Sequence, residues 1–285
     1  MIREYAPAKI NLFLDILSKR PDGYHNLGTL FQTIDVGDVL WGKSDASGNV
    51  SVRYDVPQEY SLEEDLVYRA AKLLQSEFGV RFGAEFYLEK KMPLGAGLGG
   101  GSADAAAALR LLNRIWGLGA SADELEKLGA KLGADVPFLV RGGSALAEGI
   151  GDVLTRIPAR ELSRDEVLLV VTPKCAVPTK AAYAGCIPSG GARWESYRSN
   201  GWENFYTGAF NKFEESVLPQ YPMIAQLKQG LLDGGALFAL MSGSGASVFG
   251  VFENRAAAEK MQEKWKDFVR FSMITSFFPE KNECF

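Results

Sequence analysis

Histidine is almost missing from this chain: His25 is the one copy in 285 residues. A metal centre built on imidazoles, or a protease of the His-Glu-x-x-His type, needs at least two, so both are excluded. The Gly-x-Ser-x-Gly elbow of the serine hydrolases is absent too, at Ser102, Ser144, Ser244 and Ser247 alike. Cysteine is scarce. Cys175, Cys186 and Cys284 are an odd number, at spacings that fit neither a disulfide framework nor a zinc site, which leaves reduced thiols. No apolar run reaches membrane-spanning length, and the opening "MIREYAPAKINLFLDI" lacks the basic-then-apolar layout of a signal peptide. The expectation is a cytoplasmic protein with no membrane association. Blocks of positive charge are missing as well: 31 Lys and Arg are dispersed among 35 Asp and Glu for a net charge of -4, which argues against nucleic acid as a partner. A small anionic ligand needs only a few local cations. The chemistry left to this chain rests on Asp, Lys and backbone amides.

Apolar residues are plentiful, at 47% of the chain, enough to give two domains of ordinary size a core each. The expected division is 1–157 and 158–285, because proline and charges cluster from Ile157 to Arg164. "AKINLFLDIL" reads as a strand, and "TLFQTIDVGDVLWGK" as another ending near Gly37 and Asp38. "DLVYRAAKLLQSEFG" has helical spacing and a glycine stop at Gly79. "AEFYLEKKMP" is a strand that leads into "PLGAGLGGGSAD", and from Ser102 to about Trp116 the apolar residues cover nearly every side of a helix, so this helix should be buried. Ser121 and Glu124 form a capping-box pattern for a further helix closed by Gly133. Asp135 follows, two residues before Pro137, in backbone expected to be extended. Beyond Arg164 the pattern gives a strand, an aromatic insertion from Pro188 to Tyr206, a helix from Asn211, a strand-turn-strand at "ALFALMSGSGASVFGVF", an amphipathic helix and a last strand. The insertion carries Trp194, Tyr197, Trp202, Phe205 and Tyr206. It either covers a ligand site or packs on the surface, and surface packing is the expectation.

The stretch from Pro93 to Asp104 holds five glycines. Gly95-x-Gly97-x-x-Gly100 matches the dinucleotide fingerprint, but the acid needed about twenty residues on is absent: Arg114, Ile115 and Trp116 stand in that region. The preceding "EKK" is also too polar for a central parallel strand. No Gly-Lys-Ser or Gly-Lys-Thr follows, which removes the P-loop. A plain turn needs one or two glycines, and more only raise the entropy lost on folding. An anion cradle explains all five: the amides of the loop and of the first helical turn lack intrahelical partners, and the helix dipole adds about half a positive charge there. Ser102 adds a hydroxyl. "SGSGAS", Ser242 to Ser247, is either a second wall of that cradle or a hairpin turn.

Lys9 in "PAKINLFLDI", the loop "PLGAGLGGGSADAA" and "MSGSGASVFGVF" together resemble the three motifs of the GHMP kinases, in the same order. "AKINLFLDILSKRPDGYHNL", "GADVPFL" and "VPTKAAY" narrow the resemblance to the members that phosphorylate a cytidine-diphosphate methylerythritol in the non-mevalonate isoprenoid route. The resemblance spans nearly the whole chain. It implies an α+β fold with an N-terminal ribosomal-protein-type mixed sheet with helices, a C-terminal ferredoxin-like domain, and ATP and substrate meeting between them. It also implies ATP and Mg2+ as cofactors and a small-molecule cytidine diphosphate as substrate, with monomer and homodimer both open. By that pattern Asp135 is the base and Lys9 its partner. Pro93, Gly95, Gly97, Leu98, Gly99, Gly100, Gly101 and Ser102 bind ATP, and Asp65 and Asn113 lie near the nucleotide. Where the family often has asparagine, Asp65 lacks an amide donor and can instead cap the following helix. Tyr24 and Tyr183 stack on the cytosine, His25 bonds its edge, and Asn11, Thr179, Lys180, Gly243 and Gly245 complete the substrate site. No acidic pair stands out for magnesium; Ser102 is the one side chain offered for it.

Overall fold

The computed structural model of the chain describes residues 1–57, 60–158, 161–201 and 205–279, and of residues 200, 201, 205 and 207 the backbone alone. The first half contains β1 (Ile2–Lys19), β2 (His25–Asp45), β3 (Val50–Tyr54), α1 (Leu66–Phe78), β4 (Gly83–Glu89), α2 (Gly100–Ile115), α3 (Ala122–Gly129), α4 (Val136–Arg141), β5 (Ser144–Glu148) and β6 (Val153–Ile157). The second half contains β7 (Val167–Pro173), α5 (Thr179–Ala184), α6 (Ala192–Ser196), α7 (Phe205–Gly208), β8 (Phe210–Asn211), α8 (Glu214–Val217), α9 (Pro222–Asp233), β9 (Ala236–Met241), β10 (Val248–Phe252), α10 (Arg255–Trp265) and β11 (Val269–Thr275).

Every residue of β1 from Ala6 to Ile16 is buried, so both faces of this strand are covered, and the layers follow from that. β1 pairs antiparallel with β2 along nearly its whole length, while the other edge of β2 takes β5 over Thr29 to Gln32 and β4 over Val39 to Asp45. The sheet runs β3-β4-β2-β1-β8, with β5 paired to β2 and β6 to β5, and the second sheet runs β11-β7-β10-β9. Ala6, Phe31, Leu40 and Phe86 pack one face of the first sheet against α1 to α4. Ala8, Ile10, Leu12 and Leu30 pack the other face against Leu168, Val170, Leu240 and Phe249 of the second sheet. The intervening residues Leu169, Val171 and Met241 point away, toward α9 and α10, as the two-residue period of a strand requires. The order is therefore helices, sheet, sheet, helices. It is an α+β arrangement, and β8 carries the later part of the chain back into the first sheet beside β1.

Several local expectations hold. Gly79 ends α1 in the left-handed region at φ 63°, α2 is buried from Ala103 to Asn113, and Ser121 with Glu124 forms the capping box of α3. Others need correction. β2 does not stop near Gly37 and Asp38 but runs through them; a Cβ at Gly37 would lie 2.1 Å from the Ala6 carbonyl, so this glycine serves a close approach of β1 rather than a chain break. α3 ends at Gly129, and a turn carries the chain to Gly133. Asp135 is not extended: it has φ -80° and ψ -17° at the N-cap position of α4, with its side chain making no cap hydrogen bond. Pro137 falls in the first turn of α4, where an amide would have no helical acceptor, so it is accommodated there.

Asn211 itself lies in β8; a short helix, α8, begins three residues on at Glu214, and the long helix begins at Pro222. The aromatic insertion does lie at the surface, with Ala192, Arg193, Glu195, Ser196 and Arg198 exposed, but two of its rings anchor it inward. Trp194 is fully buried over Gly28, where a Cβ would lie 2.2 Å from its ring, and Tyr197 stacks on Phe13 at 4.0 Å. Trp202 and the side chain of Phe205 lie outside the described residues.

Candidate active site

β4 leads through Lys90 to Pro93 into the glycine loop, which two backbone bonds fix from two sides, a third closing the turn that supplies one of them. The Lys9 amide donates to the Leu98 carbonyl at 2.9 Å, the Ser247 amide to the Ala96 carbonyl at 3.1 Å, and the Ser242 amide to the Ser247 carbonyl at 2.9 Å. The Ser242 hydroxyl donates to the Gly97 carbonyl at 2.9 Å. This closeness is why Gly97 is glycine: its φ is 77°, and a Cβ would sit 2.1 Å from the Ser242 carbonyl. Gly99 has φ 69°, caps α2 and lies against the Lys9 stem, 3.0 Å from Cγ to where a Cβ would be. The two alternatives for "SGSGAS" thus meet: it is the turn between β9 and β10, and it walls the glycine loop. Asn211 holds that turn, its amide nitrogen donating to the carbonyls of Met241 at 2.6 Å and Gly243 at 2.8 Å.

A cavity of about 410 Å3 opens over this loop. Pro93, Gly95, Gly97, Gly99, Gly100, Gly101 and Ser102 line one side; Lys9, Asn11, Asp135, Gly243 and Gly245 are among the residues that line the rest. Leu98 differs from its neighbours, because its side chain is buried in the core and its carbonyl takes the Lys9 amide. Lys9 and Asn11 stand two apart on β1 and so share a face, opposite the core residues Ala8, Ile10 and Leu12. Lys9 is buried; its Nζ donates to Asn11 Oδ1 at 2.9 Å and lies 3.5 Å from Asp135 Oδ2. Asn11 Nδ2 donates to Thr29 Oγ1 at 2.8 Å, and Thr29 donates to the Phe13 carbonyl at 2.5 Å. The relay runs one way, so it fixes which end of the Asn11 amide faces the ammonium. A cation and a carboxylate thus face one cavity beside a helix N-terminus, an arrangement suited to moving an anionic group onto a hydroxyl.

Two further cavities adjoin the first. The outer one, about 580 Å3, is lined by Lys19, Tyr24, His25, Thr179, Lys180 and Tyr183, and it shares Thr179 and Tyr183 with the first. Tyr24 is 61% exposed, and the ring that stacks on Tyr183 is His25, with centroids 5.0 Å apart. Burial, with help from Lys19, lowers the His25 pKa below the ordinary value, which favours a neutral ring that offers one donor and one acceptor. Burial also pushes the Tyr183 hydroxyl up to about 12, so it stays protonated. The third cavity, about 360 Å3, lies on the other side of the glycine loop, between Tyr54, Tyr60, Asp65 and Leu94, and shares Leu94 and Gly101 with the first.

Asp65 does cap α1, its Oδ1 accepting from the amides of Val67 at 2.8 Å and Tyr68 at 2.9 Å. Burial raises its pKa against the pull of those amides. Asn113 is misplaced by the sequence reading. It lies at the far end of α2, lines none of these cavities, and exchanges two hydrogen bonds with Ala120, at 2.9 and 3.0 Å. It clasps the loop between α2 and α3.

Sequence reasoning missed Thr29, Asn211 and a buried ionic cluster under the loop. There Lys90 Nζ lies 2.5 Å from Asp38 Oδ2 and 2.7 Å from Asp104 Oδ2, close to where a Cβ on Gly100 would be. The Asp38 carboxylate also accepts from the amides of Lys91 and Met92, at 2.5 and 2.8 Å. The polar "EKK" was the signal: Lys90 turns inward, whereas Lys91 stays exposed.

Comparison with known proteins agrees with this geometry. The GHMP kinases N terminal domain matches residues 65–143, and the GHMP kinases C terminal domain matches residues 194–270. A 4-diphosphocytidyl-2-C-methyl-D-erythritol kinase of Pelotomaculum thermopropionicum is 38% identical over 98% of each chain. A crystal structure of 4-(cytidine 5'-diphospho)-2C-methyl-D-erythritol kinase superposes with a TM-score of 0.79 at 30% identity, covering 97% of this chain and 99% of the other. A homoserine kinase of Cytophaga hutchinsonii superposes with a TM-score of 0.76 at 21% identity, covering 98% and 95%, which speaks to the fold alone. By fold, by motif and by full-length similarity, the chain belongs to the 4-diphosphocytidyl-2-C-methyl-D-erythritol kinase family of the GHMP kinases.

Proposed function

We infer that this protein transfers the γ-phosphoryl group of ATP to the 2-hydroxyl of 4-diphosphocytidyl-2-C-methyl-D-erythritol, giving the 2-phosphate and ADP in the non-mevalonate isoprenoid route. The observation that carries the reading is the row of three adjoining cavities with Lys9 and Asp135 in the middle one. Two nucleotide-bearing molecules that react at their inner ends need such a row.

The aromatic outer cavity takes the cytidine: Tyr24 and Tyr183 supply stacking faces, and His25 supplies edge hydrogen bonds that distinguish cytosine. The cavity past the glycine loop takes the adenine. The triphosphate then crosses the N-terminus of α2, where amides and the helix dipole favour negative charge. The acceptor hydroxyl lies beside Asp135, which takes its proton as the new O–P bond forms and the bond to ADP breaks. Lys9, oriented by Asn11 and Thr29, stabilises the oxygen as it loses that proton. The positions of donor and acceptor are fixed by groups that are themselves packed, which is where most of the rate advantage of phosphoryl transfer arises.

Magnesium fits this arrangement. Among the described residues no group of three or more His, Cys, Asp or Glu could hold a metal, and Mg2+ is ordinarily held by one or two protein oxygens together with substrate phosphates. The Ser102 hydroxyl, in the wall of the first cavity, would be the protein oxygen offered to it, since Asp135 is engaged with Lys9 and the acceptor's proton. When bound, it neutralises charge on the phosphate oxygens.

The test is an ADP-release assay with the cytidylated methylerythritol set beside mevalonate, homoserine and galactose. Turnover should be confined to the first. Turnover on one of the others alone would overturn the acceptor assignment and leave the fold untouched.

A further inference from the structure

Arg110 lies in the middle of α2, 2% exposed, and lines none of the three cavities. A guanidinium buried this deeply is costly unless its hydrogens are well used. Here they are divided between two other elements. Nε donates to Glu4 Oε1 at 2.9 Å and Nη2 to the Tyr5 carbonyl at 3.0 Å, both on β1. Nη1 donates to the carbonyls of Leu139 at 2.8 Å and Val140 at 3.0 Å, at the end of α4. Arg114, one turn along α2, reaches the other oxygen of Glu4.

β1 and α4 are the elements whose side chains meet in the first cavity. Lys9 stands on β1 a few residues beyond Glu4 and Tyr5, and Asp135 stands at the N-cap position of α4. α4 spans only six residues before Gly142 ends it in a conformation open mainly to glycine, φ 75° and ψ -146°. Its last carbonyls therefore have no helical amide to receive, and Arg110 supplies the missing donors. A helix this short moves as one piece, so whatever fixes its C-terminal end also fixes Asp135 at its start.

We propose that Arg110 is a positioning residue for phosphoryl transfer, holding α4 against β1 so that Asp135 keeps its 3.5 Å separation from Lys9. It touches neither substrate nor reacting atoms. The proposal rests on the assignment of Lys9 and Asp135 as the reacting pair. Docking of α4 does not depend on Arg110 alone: Phe138 stacks on Phe31 at 5.0 Å, and Arg156 lies over the Phe138 ring at 5.6 Å. Removing the guanidinium should thus leave α4 in place but free to shift. A displacement of about 1 Å at a reacting centre is enough to cost on the order of a hundredfold in rate.

The experiment compares Arg110→Met and Arg110→Lys with the wild type, on whichever alcohol the wild type phosphorylates. Failure of the acceptor assignment and failure of this proposal are then separate results. Thermal melts report folding. For folded Arg110→Met the expected result is a kcat at least tenfold lower, with KM for ATP and for the alcohol within threefold of wild type. Arg110→Lys, with a single ammonium in place of the fork, should recover part of that loss. A folded Arg110→Met with kcat within twofold of wild type overturns the proposal, and so does a loss that appears in both KM values instead of kcat. If Arg110→Met does not fold, Arg110→Lys decides: reduced kcat at constant KM supports the proposal, and unchanged kcat overturns it.

Discussion

Lys9 and Asp135 are far apart in the chain and 3.5 Å apart in the fold. Neither spacing nor local pattern joins them; they were legible only through the motifs they sit in, "PAKINLFLDI" and "GADVPFL". Thr29 and Asn211 sit in no such motif. Each acts through hydrogen bonds to a distant strand or turn, contacts that no local pattern encodes. Their contributions are orientational, whereas Asp135 has a chemical role that can be isolated. Asn in its place keeps the size and a hydrogen-bonding oxygen but cannot take a proton at neutral pH. Asp135→Asn should lower kcat by about a hundredfold or more, the range of a lost general base, while ATP binding measured by titration calorimetry stays close to wild type. Turnover at the wild-type rate would remove Asp135 from the role of base.

Elements whose character is set by their own residues were the readable ones. α2 is apolar on nearly every side and is buried, α1 stops at a glycine in the left-handed region, and α3 starts at a capping box. Misreadings came where a contact from elsewhere decides the conformation. Gly37 looked like a strand end but accommodates the Ala6 carbonyl, and the aromatic insertion looked wholly superficial but places Trp194 over Gly28. Asn113 is the same error in a site residue: a polar side chain at the end of the phosphate-loop helix looked like a nucleotide contact, and it holds the α2–α3 connection. Truncation tells the two roles apart. Asn113→Ala leaves both the amide and the carbonyl of Ala120 without their partner in a buried position, at a cost of about 1–3 kcal/mol for each unsatisfied group. Chemical denaturation should show that loss, with KM for ATP unchanged. A raised KM for ATP at unchanged stability would restore Asn113 to the nucleotide site.

Folding joins every buried charge to the pH dependence of the whole molecule, and the cluster under the glycine loop is where this protein has most at stake. One ammonium, Lys90, serves two carboxylates, Asp38 and Asp104, and Asp104 Oδ1 is buried with no hydrogen-bond partner. Burial acts to lower the Lys90 pKa, but Asp104 and Asp38 outweigh it and hold the ammonium above the ordinary lysine range. The Lys90 contribution is therefore intact through neutral pH. Asp104 is different: burial, reinforced by Asp38 and only partly offset by Lys90, holds its carboxyl well above the usual range. An acid whose pKa is higher folded than unfolded binds more protons in the native state, so stability falls as pH rises from the unfolded value of about 3.9 toward the folded one. The limiting slope is about 1.4 kcal/mol per pH unit. Asn at this position carries no proton to lose, and its amide oxygen can still accept from Lys90. Asp104→Asn should accordingly melt close to wild type near pH 4 and above it toward pH 8, with the difference opening from the low end. Melting curves of both proteins across that interval provide the measurement. A variant that is less stable by the same margin at both ends would mean that Asp104 is ionised throughout and that its charge stabilises the fold.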